Sequence, residues 1–104
     1  MKVCVTSRGP GLDSTMDPRF GLSPYFIFVD PETLAFKAVQ NPFVEENGEA
    51  VGHTALFLAR RGIEVVITGP MGSYIYETLR AAGIKIYIGP KGKVEEVVKK
   101  FKHG

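Results

Sequence analysis

Cysteine is scarce in this chain of 104 residues, because Cys4 is its single representative. One cysteine excludes an internal disulfide and a zinc or iron–sulfur site built from four cysteines of the same chain. Long apolar runs are missing as well, although 44% of the residues are hydrophobic. The composition therefore predicts a packed core and no membrane partner. Residues 1–9 contain no apolar stretch of signal-peptide length, so a cytoplasmic location is expected.

A strong net charge is absent too, since the formal charge is +2 at pH 7. Lysines gather within residues 91–102, but this excess is too modest to predict a nucleic-acid partner. Carboxylates are missing from the first predicted strand, where a ribonuclease-H-type nuclease would hold its divalent ions. No serine lies in the context of a nucleophile elbow. These absences predict a binding protein and no enzyme.

The apolar pattern predicts one domain over residues 1–104, with five strands and three helices. Alternating or continuous apolar residues predict strands, and spacings of three and four residues predict helices. The strands are expected over residues 2–6, 25–30, 34–40, 64–68 and 85–88, and the helices over residues 53–61, 73–82 and 94–101. Gly62 and Gly83 follow the first two helices as stop signals.

The connections between these elements limit the possible sheet. A tight hairpin makes the second and third strands antiparallel, whereas helical crossovers make the strands they join parallel. Placing the first strand in the centre gives a five-stranded mixed sheet of order 3-2-1-4-5 with one antiparallel strand. The predicted architecture is α/β and ribonuclease-H-like.

Ligands of open α/β sheets bind beyond the carboxyl ends of the strands, where the connections diverge. Three glycine-bearing segments meet that description here: residues 7–20, 69–73 and 89–92. The segment 69–73 opens a helix, so its N–H groups could hold an anion, and Arg8 and Arg19 could add cationic donors. The simpler alternative is that Gly72 permits a tight turn and Ser73 caps the helix. The candidate cofactor-binding residues are Ser7, Arg8, Arg19, Phe20, Gly69, Met71, Gly72 and Ser73.

Two further side chains could ligate metal. His53 follows an acidic loop at the predicted start of a helix, where an imidazole could reach a bound cluster. An exposed polar side chain without a ligand is the simpler alternative. Cys4 lies in the middle of a strand, where a buried small hydrophobe is the ordinary interpretation. His53 is therefore the candidate metal ligand.

The most distinctive segment is the loop over residues 12–26, LDSTMDPRFGLSPYF, because long loops in small domains are often functional. Its PRFG-x-x-PYF part, with MKVCVTSRG, the NPF loop, RRGIEVVITGPMG and LRAAGIKIYIG, resembles the dinitrogenase iron-molybdenum cofactor biosynthesis family. That group includes NifX, NafY and the C-terminal part of NifB. Residues 50–53, AVGH, depart from the glycine-alanine-glycine run found in many members, so His53 is not carried over from the family.

The resemblance implies a non-catalytic carrier that binds iron–sulfur or iron–molybdenum cluster precursors transiently and exchanges them with cluster-donor or cluster-acceptor proteins. A monomer or a weak homodimer is expected. Two alternatives stay open. One is a small-anion or nucleotide sensor that uses the same three loops. The other is a protein-interaction module that docks a partner through Phe20 and Tyr25.

Overall fold

The computed structural model describes residues 1–44, 50–89 and 91–104. These residues form five strands and three α-helices, and a short 3-10 helix at Phe20–Leu22 precedes the second strand. In chain order the elements are β1 (Val3–Ser7), β2 (Tyr25–Val29), β3 (Phe36–Gln40), α1 (Val51–Arg60), β4 (Val65–Thr68), α2 (Ser73–Ala81), β5 (Lys85–Ile88) and α3 (Val94–His103). None of the helices in these residues combines the length and hydrophobicity that crossing a bilayer requires.

The sheet has the predicted strand order, β3-β2-β1-β4-β5. Central strand β1 pairs antiparallel with β2, where Val3 lies opposite Val29, and parallel with β4, where Val3 lies opposite Val65. The pair β2–β3 is antiparallel and the pair β4–β5 is parallel. Only β2 therefore runs against the other strands, which confirms the mixed sheet with one antiparallel strand.

Helices cover both faces of the sheet because the side chains of a strand alternate between its faces. On one face Cys4 and Val66 pack with residues of α1 and α2, such as Leu58 and Leu79. On the other face Val3, Val5 and Val65 pack against α3 residues, which are Val94, Val97 and Val98. Burial raises the pKa of the Cys4 thiol, as expected of a small core residue. The two cores hold the carboxyl ends of β1 and β4 side by side.

The helix ends agree with the glycine signals, but one helix start does not. Gly62 and Gly83 adopt φ values of 76° and 83° directly after α1 and α2, a conformation that favours glycine. Helix α1 begins at Val51, two residues earlier than predicted. Val51 is buried, and the Thr54 N–H donates to the Ala50 carbonyl at 2.8 Å. Burial of the Val51 side chain thus extends the helix to residues 51 and 52, before the predicted start.

Candidate functional site

The loop between β1 and β2 is tied to the start of α3. The Val94 N–H donates to the Ser14 carbonyl at 2.8 Å, and the Glu95 N–H donates to the Leu12 carbonyl at 2.9 Å. The Met16 N–H donates to the Gly92 carbonyl at 2.9 Å. The first two bonds satisfy N–H groups that a helix start otherwise leaves without partners. The first turn of α3 is therefore occupied by the protein itself.

The predicted crevice between β1 and β4 is filled by the same loop. The Asp17 N–H donates to the Thr6 carbonyl at 2.9 Å, and the Thr6 hydroxyl donates to the Asp17 carbonyl at 2.6 Å. That hydroxyl also lies 2.7 Å from the Thr68 hydroxyl. A Cβ atom at Gly69 would lie only 2.5–2.7 Å from Pro18. The expectation that Gly69 lines an open crevice is wrong, because Pro18 lies directly on Gly69. The absent side chain of Gly69 makes room for the loop, and the Thr6 and Thr68 hydroxyls at the strand ends hold it there.

The Asp17 carboxylate holds the side chain of Arg19, two residues later, in place. The carboxylate is fully buried and accepts hydrogen bonds from the Arg19 backbone N–H at 2.9 Å, Nε at 3.0 Å and Nη2 at 2.9 Å. Burial acts to raise the pKa of Asp17, but these hydrogen bonds and the positive charges of Arg19 and Arg8 outweigh it and lower the pKa. The Arg19 side chain is 58% exposed, so its remaining N–H groups can reach a ligand.

A groove of about 310 Å³ opens beside this pair, between residues 19–22 and residues 70–75. We call it the Arg19 groove. It brings together four of the predicted cofactor-binding residues, namely Arg19, Phe20, Met71 and Gly72. The other lining residues are Gly21, Leu22, Pro70 and Ile75. The groove thus combines one cation with a mostly apolar wall and the start of a helix.

Phe20 and Gly72 shape the groove in different ways. Phe20 is only 4% exposed and packs near Phe26, with 6.2 Å between ring centroids, so it forms part of the floor. Gly72 is the N-cap of α2 with φ −71°, a value open to any residue. The tight-turn interpretation of Gly72 is therefore wrong. Ser73 is the first helical residue and lies one position too late to be the N-cap. The absent side chain at Gly72 leaves the first N–H groups of α2 uncovered.

The structure places four predicted residues outside the groove lining, namely Ser7, Arg8, Gly69 and Ser73. The buried Ser7 hydroxyl donates to the Gly9 carbonyl at 2.7 Å and accepts a bond from the Gly9 N–H at 3.3 Å, which stabilises the local turn. Gly69 lies beneath Pro18. Arg8 is exposed and acts on the site through its charge, which helps to lower the pKa of Asp17.

His53 lies on the outer face of α1, in a different groove. Its ring centroid is 6.2 Å from that of Phe43, and the two residues line a cavity of about 260 Å³ with Leu56, Phe57 and the arginines that end the helix. Among residues 1–44, 50–89 and 91–104, no three His, Cys, Asp or Glu side chains form a group that could hold a metal ion. The acidic part of the loop before α1, residues 45–49, and Pro90 of the third predicted loop lie outside the described residues.

Asp17 is the functional residue that the sequence reasoning missed. Its signal was present as D-P-R, because an aspartate can accept a hydrogen bond from the backbone N–H two residues later. The side-chain bonds to Arg19 follow from the same turn.

A known protein family and several solved structures are similar to this chain. The family model described as "Dinitrogenase iron-molybdenum cofactor" matches residues 1–104. Among solved structures, the apo form of the orange protein from Desulfovibrio gigas is 36% identical with a TM-score of 0.86, and the match covers 99% of this chain and 88% of that chain. A Thermotoga protein provisionally named NifB is 32% identical with a TM-score of 0.83, again covering 99% and 88%. No curated protein matches this chain at a significant level.

Proposed function

Because this chain belongs to the dinitrogenase iron-molybdenum cofactor family, we propose that it is a non-catalytic carrier whose Arg19 groove holds an anionic iron–sulfur or iron–molybdenum cluster precursor. The cargo is taken from a donor protein and passed to an acceptor. In this proposal the cluster is bound transiently as cargo and is not a permanently bound cofactor. The finer assignments, a ribonuclease-H-like architecture and a cytoplasmic location, stay predictions.

The observation that supports the proposal is the donor set of the groove. Arg19 offers N–H groups from a guanidinium held in place by Asp17, and the uncovered N–H groups of α2 begin at the opposite wall. Both favour negative charge. The thioether of half-buried Met71 adds a soft sulfur atom. A cluster whose own atoms carry the charge fits such a lining without a cage of side-chain ligands.

Weak attachment suits a carrier. No multidentate set of His, Cys, Asp and Glu occurs in the described part of the chain, so hydrogen bonds and charge would supply most of the affinity. Such contacts are individually modest and allow rapid release. The relative from Desulfovibrio gigas is known in an apo form, a term that presupposes a form with a bound group. The apo form of that relative supports the proposal that the cargo is loaded and released.

The test is anaerobic reconstitution with ferrous iron and sulfide, followed by desalting and measurement of the charge-transfer absorption and of bound iron. The wild-type protein is expected to retain a coloured species. Arg19→Ala should reduce retention about tenfold, the size of losing one charge-assisted hydrogen bond. Arg80→Ala is the matched control, since Arg80 is exposed on α2 and does not line the groove.

His53→Ala separates the two predicted sites. Because His53 lines a different groove from Arg19, the variant is expected to retain the cluster fully. A loss in His53→Ala with normal retention in Arg19→Ala would contradict the Arg19 groove and restore the ligand hypothesis for His53. Failure of the wild-type protein to retain iron at micromolar concentration would reject the carrier function.

A small-anion or nucleotide sensor is the second candidate, because the same N–H donors suit phosphate. Thermal-shift measurements with inorganic phosphate and nucleotides distinguish it, since a specific ligand raises the melting temperature as its concentration exceeds the dissociation constant. Stabilisation by nucleotides that Arg19→Ala abolishes, without retention of iron, would favour the sensor. The interaction module based on Phe20 and Tyr25 would lack its first contact, because Phe20 is 4% exposed and only the half-buried Tyr25 could reach a partner.

A further inference from the structure

The outer face of α1 carries a second groove that the carrier function does not use. It has a volume of about 260 Å³ and an open shape. We call its six lining residues the α1 face: Phe43, His53, Leu56, Phe57, Arg60 and Arg61. They share no member with the lining of the Arg19 groove. The α1 face is therefore a separate surface.

Helical spacing places an apolar side chain in the middle of this surface. His53, Leu56 and Arg60 follow one another at three and four residues, which puts them on one side of α1. The opposite side of the helix supplies the core residues Ala55 and Leu58. Leu56 is 47% exposed and does not belong to that core. Together with Phe43 and Phe57, Leu56 gives the α1 face an apolar patch flanked by arginines, a combination of residue types that is enriched at interfaces.

One arginine of the α1 face, Arg61, packs against an aromatic ring. The Arg61 guanidinium lies 3.6 Å above the centre of the Phe57 ring, and its Nη1 donates to the Phe57 carbonyl at 3.2 Å. The Lys2 ammonium donates to the Arg61 carbonyl at 2.9 Å and secures the end of α1. Stacking and hydrogen bonding hold the Arg61 cation in one place, which reduces the entropy lost when a partner binds.

No carboxylate from residues 1–44, 50–89 or 91–104 lines the α1 face. The ion pairs formed within these residues join Arg19 to Asp17 and Lys102 to Glu32, so Arg60 and Arg61 pair with no carboxylate in that part of the protein. The surface therefore offers two cations and an apolar centre to an incoming molecule.

We propose that the α1 face docks an acidic, apolar segment of a partner protein. One or two apolar side chains of that segment pack against Leu56 and Phe43, and its carboxylates bind Arg60 and Arg61. Charge complementarity selects this occupant, because a basic or neutral apolar segment would bring no carboxylate to two arginines that form no ion pair within residues 1–44, 50–89 and 91–104. Arginine and aromatic side chains are also the residues that dominate binding energy at protein interfaces. This inference does not depend on the cargo of the Arg19 groove.

The test is an NMR titration of ¹⁵N-labelled full-length protein with a synthetic amphipathic peptide that presents leucine at helical spacing and glutamate between the leucines. We expect the largest amide shifts in α1, and about tenfold weaker binding of the same peptide with glutamine in place of glutamate. Arg60→Glu should weaken binding of the glutamate peptide at least tenfold. Arg80→Glu, on α2 and outside the α1 face, is the matched control and should bind normally.

Leu56→Ser tests the apolar half of the surface, and because the leucine is exposed the variant should remain folded. The variant is expected to bind the glutamate peptide about tenfold more weakly, while its spectrum outside α1 stays unchanged. Equal affinity for the glutamine peptide, largest shifts at the lysines of α3, or no binding at millimolar peptide would each overturn the proposal. Concentration-dependent self-association that Leu56→Ser abolishes would overturn it as well, because the occupant would then be a second copy of this chain.

Discussion

Substitution of Gly69 by alanine is expected to unseat the loop that fills the end of the sheet. The new Cβ would lie 2.5 Å from Pro18 Cβ, 2.6 Å from its carbonyl oxygen and 2.7 Å from its Cα. Carbon atoms in contact normally lie about 3.5–4.0 Å apart, so an atom must move by about an ångström. The backbone at Gly69 has no positive φ, and the expected effect is therefore steric.

The size of the effect follows from what restrains Pro18. Two of the three clashing atoms belong to the backbone, which cannot rotate away as a flexible side chain would. Its neighbour Asp17 is bonded to Thr6 through both its N–H and its carbonyl. Overpacking typically costs 1–3 kcal/mol, and we expect about 3 kcal/mol here. For a domain of this size that loss lowers the melting temperature by about 12 °C.

Denaturant unfolding gives the free energy, and amide hydrogen exchange locates the damage. The Asp17 amide, bonded to the Thr6 carbonyl, should lose protection before amides of β1 do. Gly52→Ala is the control, because an added Cβ meets nothing within 4 Å there and alanine improves helix propensity by about 0.5–1 kcal/mol. A Gly69→Ala protein as stable as wild type, with Asp17 exchange unchanged, would refute the described seat of the loop.

Two further predictions concern ionisable groups. The pKa of Asp17 is lowered in the folded protein, so its charge stabilises the fold above its unfolded pKa of about 3.9, and this stability is lost as the pH falls through the folded pKa. In denaturant unfolding, Asp17→Asn should therefore be less stable than wild type at about pH 7, with a difference that shrinks toward about pH 3. A difference independent of pH would attribute the effect to packing. Cys4 is fully buried with a raised pKa, so iodoacetamide should modify it only after unfolding, and rapid modification of the native protein would show that β1 opens readily.

The strand order was predictable because it depends on local signals and on few possible connections. Gly62 and Gly83 mark the helix ends through backbone freedom, and the crossovers that follow leave one sensible position for β1. The apolar runs around Val66 and Ile86 identify the parallel strands. Each of these features can be recognised within a window of about ten residues, in keeping with the short length of strands and connections.

The seat of the first loop could not be derived in the same way. Its position depends on the Thr6 and Thr68 hydroxyls and on the contact of Gly69 with Pro18, pairs that are distant in sequence. A sequence pattern shows that residues 69–73 could hold an anion, but it does not show that part of this space is already occupied. The candidate site is therefore the Arg19 groove, which lies beside the crevice that the sequence predicts.

The sequence contains enough information to predict the helix face on which His53 lies. Ala55 and Leu58 lie three residues apart on the buried face of α1, and Val51 continues that face one turn earlier. This periodicity puts His53 on the outer face and away from Arg19. Starting the helix at residue 53 concealed the relation, because it left Val51 in the preceding loop.

Retention of iron by the Arg19→Ala protein tests the central claim most directly. After anaerobic loading with ferrous iron and sulfide, the carrier function predicts that wild-type and Arg80→Ala proteins keep their charge-transfer absorption through desalting. Arg19→Ala should keep about one tenth of it. Equal retention by Arg19→Ala and wild type, with both proteins folded, would contradict the assignment of the cargo to the Arg19 groove.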